Sequence, residues 1–291
     1  TMGGYLKQYE VAVDPERLPE SLSERAEIRH VEALDDILAD DRVDLVSLCS
    51  PRRRDQADQA VRCMRAGKHV YAEKPCAMTE ADLDRIIETA ADTGCVFHEM
   101  AGTAYEQPYR TMRSVVANGT IGEVVQVLAQ KSYPYHQGRP QDEDVDGGLI
   151  CQVGVHALRF IEHVAGQRVA LIDAVETGLG NPIPGGGLHM AASYMMTLAN
   201  GGVASVIANY LNPKGFGNWG NEHLRIFGTD GMLEAVDAGS RTRLIIGNED
   251  NGPLDISEPG VSYFELFLNE LLGAGERPLP FEDELHPTRM V

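Results

Sequence analysis

The sequence predicts an α/β domain followed by an α+β domain. Up to about residue 100, short apolar runs alternate with helical segments, which is typical of a doubly wound parallel sheet covered on both faces. From residue 168 onward, glycine-rich turns separate strand-like runs, which indicates a mostly antiparallel, open-faced sheet. The chain of 291 residues is also longer than a single core usually supports. We therefore predict domains at 1–100 and 101–291.

Composition and charge narrow the class of protein. The chain has 25 Lys and Arg against 44 Asp and Glu, a net charge of −19, and such a field repels phosphate backbones and anionic lipids. We expect neither a nucleic-acid nor a membrane partner. The five cysteines are scattered without a C-x-x-C spacing, which predicts reduced thiols, a cytoplasmic location and no metal site.

The first elements place an acid at the end of a strand. Residues 1–10 look helical with no strand before them, so we expect the parallel sheet to be incomplete at its N-terminus. Residues 11–13 form a short strand that ends at Asp14, and a helical stretch follows. In a mononucleotide-binding unit, Asp14 would bond the ribose hydroxyls and favour NAD over NADP. Alternatively, Asp14 and Pro15 form only a turn.

The alternation continues to residue 98. We predict helices at 32–39, 55–66 and 79–93, the last of them between a Thr79 N-cap and a Gly94 C-cap. The predicted strands span 43–48, 70–72 and 95–98. Ser50 and Pro51 follow the first of these strands, at a ligand-facing edge.

Glu73 and Lys74 end the strand at 70–72. Pro75 lacks a backbone donor and restricts Lys74 to extended conformations, so both charged side chains lie at the carboxyl edge of the sheet. Parallel sheets bind ligands at that edge. A lysine ammonium there can stabilise the alkoxide that develops as an alcohol loses hydride. The simpler alternative is a solvated Glu-Lys pair.

The second half of the chain is predicted to contain one buried helix beneath a sheet. Residues 148–165 are apolar at helical spacing, residues 134–147 are loop-like, and helices are expected at 108–118 and 261–272. The predicted strands are 122–133, 168–177, 188–199, 202–211, 222–228, 231–236 and 241–246. Gln152 and His156 share one face of the buried helix, where a histidine can relay protons near neutral pH. Each is alternatively a packing residue.

Three stretches resemble the Gfo/Idh/MocA oxidoreductases. Ala72-Glu73-Lys74-Pro75 resembles the family's E-K-P signature, and Gly147 to His156 resembles its G-G-G-x-x-x-D-x-G-x-H segment. Ile121-Gly122-Glu123-Val124 is similar to the I-G-x-V that opens the second sheet. The chain departs from the pattern with Gln152 in place of an aspartate and with Arg159 at another frequent aspartate position.

The resemblance implies an N-terminal Rossmann-like domain that binds NAD or NADP. It implies that Lys74 activates a substrate hydroxyl, that His156 relays the proton, and that Gln152 and Lys74 bind the substrate. The cofactor-binding residues that it implies, with NAD favoured, are Gly3, Asp14, Ser50, Pro51, Glu73 and Lys74.

These features predict an NAD(P)-dependent oxidoreductase that moves a hydride between a nicotinamide and a sugar, polyol or related hydroxy compound. Two alternatives stay open, the first because glutamine cannot take up a proton and a glycine-rich phosphate loop is absent, the second because the resemblance also allows it. One is a non-catalytic nucleotide-binding sensor or assembly subunit. The other is a lyase or hydrolase that oxidises its substrate only transiently with bound NAD.

The strands at 188–199 and 202–211 have apolar residues on both faces. Met190, Ala192, Tyr194 and Met196 alternate with Ala191 and Met195, and Leu198 is grouped with the latter pair. Because the few helices cover only one face, the other would expose an apolar surface. We expect this face to bury itself in a homodimer or homotetramer, as it does in the family that the chain resembles.

Overall fold

A computed structural model describes residues 5–7, 10–12 and 33–291, and it describes side chains from residue 33 onward. The chain forms two compact units, one of residues 1–100 with 144–146 and one of residues 101–143 with 147–291. Within the described residues, the longest helix has 14 residues, and none is long and apolar enough to cross a membrane.

The first unit is built on a parallel three-stranded sheet, as predicted. Its three strands lie side by side in the order of the chain, and each neighbouring pair is parallel. Thr79 accepts a hydrogen bond from the backbone N–H of Asp82 and caps the longest helix, which Gly94 ends in the left-handed conformation. The elements are α1 (Leu34–Leu38), β3 (Leu45–Leu48), α2 (Gln56–Arg65), β4 (His69–Ala72), α3 (Glu80–Thr93) and β5 (Phe97–Glu99).

The expectations for the first twelve residues were wrong in two respects. Residues Tyr5–Lys7 form a strand, β1, where we predicted a helix, and it pairs antiparallel with β2 (Glu10–Ala12). These two strands form a separate two-stranded sheet, so the strand predicted at 11–13 is not a member of the parallel sheet. Tyr and Val favour strands, and a separation of two residues in the sequence is a common hairpin spacing.

The second unit is built on an eight-stranded sheet of order β13-β12-β11-β10-β6-β9-β8-β7. All neighbours are antiparallel except β6 and β9, which pair in parallel. The prediction of a mostly antiparallel sheet is therefore confirmed. The strands are β6 (Val124–Ser132), β7 (Val169–Thr177), β8 (Ala191–Leu198), β9 (Val203–Asn209), β10 (Asn221–Gly228), β11 (Gly231–Val236), β12 (Arg241–Ile246) and β13 (Glu249–Gly252).

A continuous helical segment at 150–164 covers one face of this sheet. It consists of a π-helical turn (Ile150–Gly154), α6 (Val155–Arg159) and a second π-helical turn (Phe160–Val164). Its apolar side chains enter the core together with those of β6, β8 and β9. The other helices of this unit are α4 (Tyr109–Ala117), α7 (Tyr263–Leu271) and α8 (Phe281–Met290), while α5 (Glu143–Asp146) lies at the boundary.

The opposite face of the sheet is open. Its exposed apolar side chains lie on β7, β8 and β9, and they include Leu171, Val175, Met195, Val203 and Ile207. Met190, Tyr194 and Met196 are buried on the covered face. Leu198 is buried there as well, so its grouping with Met195 was wrong: residues three apart on a strand point to opposite faces.

Candidate functional site

The carboxyl edge of the parallel sheet carries Glu73 and Lys74, both half-buried. The Glu73 N–H still donates to the carbonyl of Leu48 on β3, and the strand ends before Pro75 because proline has no N–H to continue the ladder. The Glu73 carboxylate accepts a hydrogen bond from the backbone N–H of Lys74 at 2.9 Å. The strand end that carries Glu73 and Lys74 is thus stabilised by a hydrogen bond to its own backbone.

Gln56 fastens this corner to the neighbouring strand end. Its side chain is fully buried, and its amide nitrogen donates to the carbonyls of Glu73 and, at 3.0 Å, of Pro75. Its amide oxygen accepts from the Ser50 backbone N–H at 3.1 Å and from Arg53 at 2.6 Å. One buried side chain therefore fixes the backbone on both sides of Lys74 and at Ser50.

Two further contacts complete this edge. The Ser50 hydroxyl donates to the side-chain oxygen of Gln59, and the fully buried Glu99 accepts the Cys76 N–H at 2.7 Å. Pro51 is exposed next to Ser50. Gly3 and Asp14, the two other predicted cofactor residues, lie outside the described residues.

In the second unit, Gln152 and His156 lie on the 150–164 segment, and both are half-buried. Gln152 belongs to the first π-helical turn and His156 to α6. π-helical turns are rare and occur frequently at functional sites, because the extra residue displaces side chains from the α-helical register. The predicted buried helix is confirmed, with this difference in its winding.

Residue 154, between Gln152 and His156, is a glycine at a place where the side chain of Tyr194 leaves no room for a Cβ atom. A Cβ at residue 154 would lie 2.2 Å from the hydroxyl oxygen of Tyr194. Tyr194 is 1 % exposed, its hydroxyl has no hydrogen-bond partner among the described residues, and burial raises its pKa. The glycine therefore lets the helix approach β8 closely.

His156 stands beside an aromatic side chain. The ring of Tyr133 lies edge-on to it, with 6.3 Å between centroids at 89°. The Lys131 ammonium is 5.1 Å from the Tyr133 ring centroid and forms an ion pair with Glu222. Burial would lower the pKa of Lys131, but Tyr133 and Glu222 outweigh it, so the net shift is upward. Lys131 is therefore charged at neutral pH.

A second cluster joins Glu143, Glu176 and His189. The His189 Nδ1 lies 2.9 Å from Glu143 and 2.6 Å from Glu176. The hydrogen bond to Glu143, with the charge of Glu176, raises the pKa of His189. The three ligand atoms lie within 4.8 Å of one another. The two carboxylates favour the charged form of His189.

The structure thus gathers Ser50, Glu73 and Lys74 at one sheet edge, and Gln152 and His156 on one helical segment. Sequence reasoning missed Gln56 and Gln59 as parts of these arrangements, and it treated Tyr133 as a structural residue. For the glutamines a signal was present: two glutamines three residues apart open a helix directly after a ligand-facing edge, and both prove to be buried. Polar residues that face inward at that place need a buried partner.

Comparison with known protein families identifies the class of protein as an oxidoreductase with an NAD-binding Rossmann domain. Residues 10–100 match the model of the oxidoreductase family with an NAD-binding Rossmann fold, and residues 109–234 match the GFO/IDH/MocA C-terminal domain. The chain belongs to the Gfo/Idh/MocA family.

Two relatives and two solved structures show the range of similarity. The dTDP-3,4-didehydro-2,6-dideoxy-alpha-D-glucose 3-reductase of Streptomyces violaceoruber is 33% identical over 150 residues, which cover 50% of this chain and 43% of the relative. The myo-inositol 2-dehydrogenase of Thermotoga maritima is 26% identical over 137 residues, covering 46% and 40%. The chain thus matches less than half the length of either relative.

The structural matches are longer. A solved structure from Thermotoga maritima has a TM-score of 0.84 at 25% identity and covers 98% of this chain and 85% of its own. The aldose-aldose oxidoreductase of Caulobacter crescentus has a TM-score of 0.77 at 19% identity, with 92% and 82% covered. At that identity the second match shows the fold alone.

Proposed function

We propose that this protein is an NAD(P)-dependent dehydrogenase or reductase of a sugar, polyol or related hydroxy compound. The observation that carries the proposal is the buried Gln56 network, which holds Glu73, Lys74 and Ser50 together at the carboxyl edge of a parallel sheet. That edge is where dinucleotides bind in such sheets. Family membership and sugar-related relatives favour the same chemistry.

We propose that residues 1–100 bind the nucleotide, with Ser50, Pro51, Glu73 and Lys74 as the residues that would hold it. The half-buried Glu73 and Lys74 and the fixed backbone offer polar contacts of the kind a nicotinamide ribose needs. A nicotinamide bound there would supply the hydride acceptor or donor. The preference for NAD over NADP rests on Asp14 and stays a prediction, as does the cytoplasmic location.

In this proposal, residues 101–291 bind the substrate and form the subunit contact. The Lys74 ammonium binds the reacting hydroxyl and stabilises the negative charge that develops as its proton leaves. His156 accepts or returns the proton, since imidazole titrates near neutral pH. Gln152 donates or accepts a hydrogen bond to a substrate hydroxyl without exchanging a proton.

A spectroscopic assay tests the proposal. Full chain is mixed with NAD or NADP and a panel of sugars and polyols, and the absorbance of the reduced nicotinamide is followed. We expect net reduced cofactor with at least one compound. Product without net reduced cofactor would instead identify the transient route of a lyase or hydrolase. Nucleotide binding without turnover of any compound would identify a sensor or assembly subunit.

A further inference from the structure

A charged pair lies on the covered face of the eight-stranded sheet. Lys131 on β6 and Glu222 on β10 are opposite each other in the register and form an ion pair. Lys131 has the same parity as Val127 and Ala129 of the core, and its neighbour on β9, Ala208, is fully buried. The two charged side chains are only 11% and 13% exposed. They therefore occupy positions whose neighbours in the sheet are core residues.

Stability does not account for this pair. Removing two charges from water costs free energy that their attraction rarely exceeds, and apolar residues of similar size stabilise a protein as well or better. Burial raises the pKa of a third acid, Glu106, and the nearby charges of Lys131 and Glu222 act on that pKa in opposite directions. The cluster therefore points to a role of the Lys131 ammonium other than stabilising the fold.

The ammonium of Lys131 holds the side chain of Tyr133. It lies 5.1 Å from the centroid of the Tyr133 ring and donates a hydrogen bond to the tyrosine side chain. The backbone of Tyr133 is fixed as well. Its N–H donates to the carbonyl of Asn209 at 2.9 Å, and its carbonyl accepts from the N–H of Asn212 at 3.1 Å. Both the backbone and the ring of Tyr133 are therefore held in place.

Tyr133 in turn contacts His156. The two rings are edge-on, with 6.3 Å between their centroids and 89° between their planes, which is a preferred arrangement of aromatic side chains. A ring packed in this way against a fixed neighbour turns less easily about its Cβ–Cγ bond. An imidazole accepts a proton only when one of its nitrogens lies within hydrogen-bond reach of the donor. The orientation of the His156 ring therefore depends on Tyr133.

We propose that the Lys131–Glu222 pair is a positioning element, which acts through Tyr133 to hold the imidazole of His156 in the orientation that proton transfer requires. Glu222 fixes the ammonium, the ammonium fixes the Tyr133 ring, and that ring fixes the imidazole. With so little of their side chains exposed, Lys131 and Glu222 act on His156 and not on the substrate directly. The inference rests on the proposed function, which gives His156 its role, and it adds three residues that orient this histidine.

Nuclear magnetic resonance of the histidine rings tests this arrangement without any turnover. Full chain is prepared with isotope-labelled histidine, and the His156 signal is the one lost in His156→Gln. Lys131→Met combined with Glu222→Gln removes both charges together, so that neither is left buried without its partner. We expect the His156 ring signals to shift in this double variant and in Tyr133→Leu. An unchanged His156 signal in either variant would overturn the proposal.

Arg243→Gln combined with Asp250→Asn is the matched control. This ion pair joins β12 to β13 in the same sheet, but its side chains are 53% and 49% exposed. Removing it should leave the His156 signal in place. A shift as large as that in the Lys131 and Glu222 double variant would show that the signal responds to any loss of charge in the sheet, and it would contradict the proposal.

Kinetics provide a second test with a substrate from the panel. In the Lys131 and Glu222 double variant, kcat should fall about tenfold or more with KM nearly unchanged, because a misplaced proton acceptor raises the barrier of the chemical step. Tyr133→Phe retains the ring and should keep more of kcat than Tyr133→Leu. Equal kcat in the parent and the double variant, or equal losses in the two Tyr133 variants, would contradict the positioning role even if the dehydrogenase activity is established. If no compound is turned over, the proposed function fails, and the His156 signals still decide whether the pair holds this ring.

Discussion

At the scale of single residues, His163 makes the free energy of unfolding depend on pH. It is 3% exposed, and its Nε2 lies 3.0 Å from the carbonyl oxygen of Asp283, which can only accept, so Nε2 carries the proton. Burial and the nearby Arg159 lower its pKa to about 4. Folding therefore favours neutral His163, and this contribution is complete above the unfolded pKa and is lost as the pH falls.

We expect this histidine to cost about 2 kcal/mol of unfolding free energy between pH 7 and pH 5. His163→Gln retains a donor for the Asp283 carbonyl but does not titrate. The variant should therefore lose less stability over this range than the parent protein. Urea unfolding at both pH values measures the difference. Two proteins with equal pH dependence would refute the assignment.

The close approach of Gly154 to Tyr194 can also be tested by substitution. Gly154→Ala should destabilise the protein by roughly 1–3 kcal/mol, because the new methyl group would overlap the Tyr194 hydroxyl. Tyr194→Phe alone should be close to neutral, since that hydroxyl has no partner among the described residues.

The two substitutions together should cost less than their sum, because removing the hydroxyl removes the closest overlap. Thermal unfolding of the four proteins gives the coupling. Strictly additive effects would show that the hydroxyl does not limit the approach of the helix to β8.

At the scale of elements, Gln56 at the start of α2 holds the strand end that carries Lys74. Gln56→Glu keeps the size of the side chain but removes both N–H groups that serve the Glu73 and Pro75 carbonyls. We expect a loss of about 1–3 kcal/mol in unfolding free energy and a fall in turnover.

Asp58→Asn is the matched control on the same helix, because Asp58 pairs with Arg85 at the surface and surface ion pairs contribute little. It should leave both stability and turnover nearly unchanged. Equal behaviour of the two variants would remove Gln56 from its positioning role.

The elements themselves were largely readable from the sequence. The strands at 231–236 and 241–246 and the helix between Thr79 and Gly94 appear as predicted, because period, turn glycines and caps are local signals. Helix α8 was missed, since Pro287 within it argues against a helix. The β1–β2 pairing was missed because its strands have only three residues each.

The candidate site was readable only in part. Glu73 and Lys74 follow from a strand that ends at a proline, and His156 from a helical motif. The role of Gln56 depends on carbonyls that lie 17 and 19 residues further along the chain, and that of Tyr133 on a helix that follows it. Contacts between residues so far apart in the sequence produce no local pattern of polar and apolar residues, so the sequence alone does not indicate them.

At the scale of the whole molecule, one face of the eight-stranded sheet exposes apolar side chains to solvent. Its side chains Val175 and Met195 are 72% and 71% exposed, on adjacent strands. Exposed apolar side chains on neighbouring strands favour an interaction site on this face. We propose a homodimer through this face, or a tetramer built from such dimers, because two-fold pairing buries the same patch on both copies.

Met195→Asp should dissociate that assembly toward the mass of a single chain, because it adds a charge to the face that the assembly would bury. Leu272→Asp, which adds a charge at a site 78% exposed outside the sheet, should leave the assembly intact. Light scattering on dilute protein gives the mass. A parent protein that is already monomeric would contradict the proposal.

The central claim is that Lys74 binds and activates the substrate hydroxyl. Turnover and nucleotide binding, measured on the same variant, test it most directly. Lys74→Met keeps the length of the side chain and removes the ammonium, while Gln56 still holds the backbone around it. With the best substrate of the panel, we expect kcat to fall by about two orders of magnitude or more and the affinity for the nucleotide to change little. Turnover at the parental rate in the Lys74→Met variant would contradict the account.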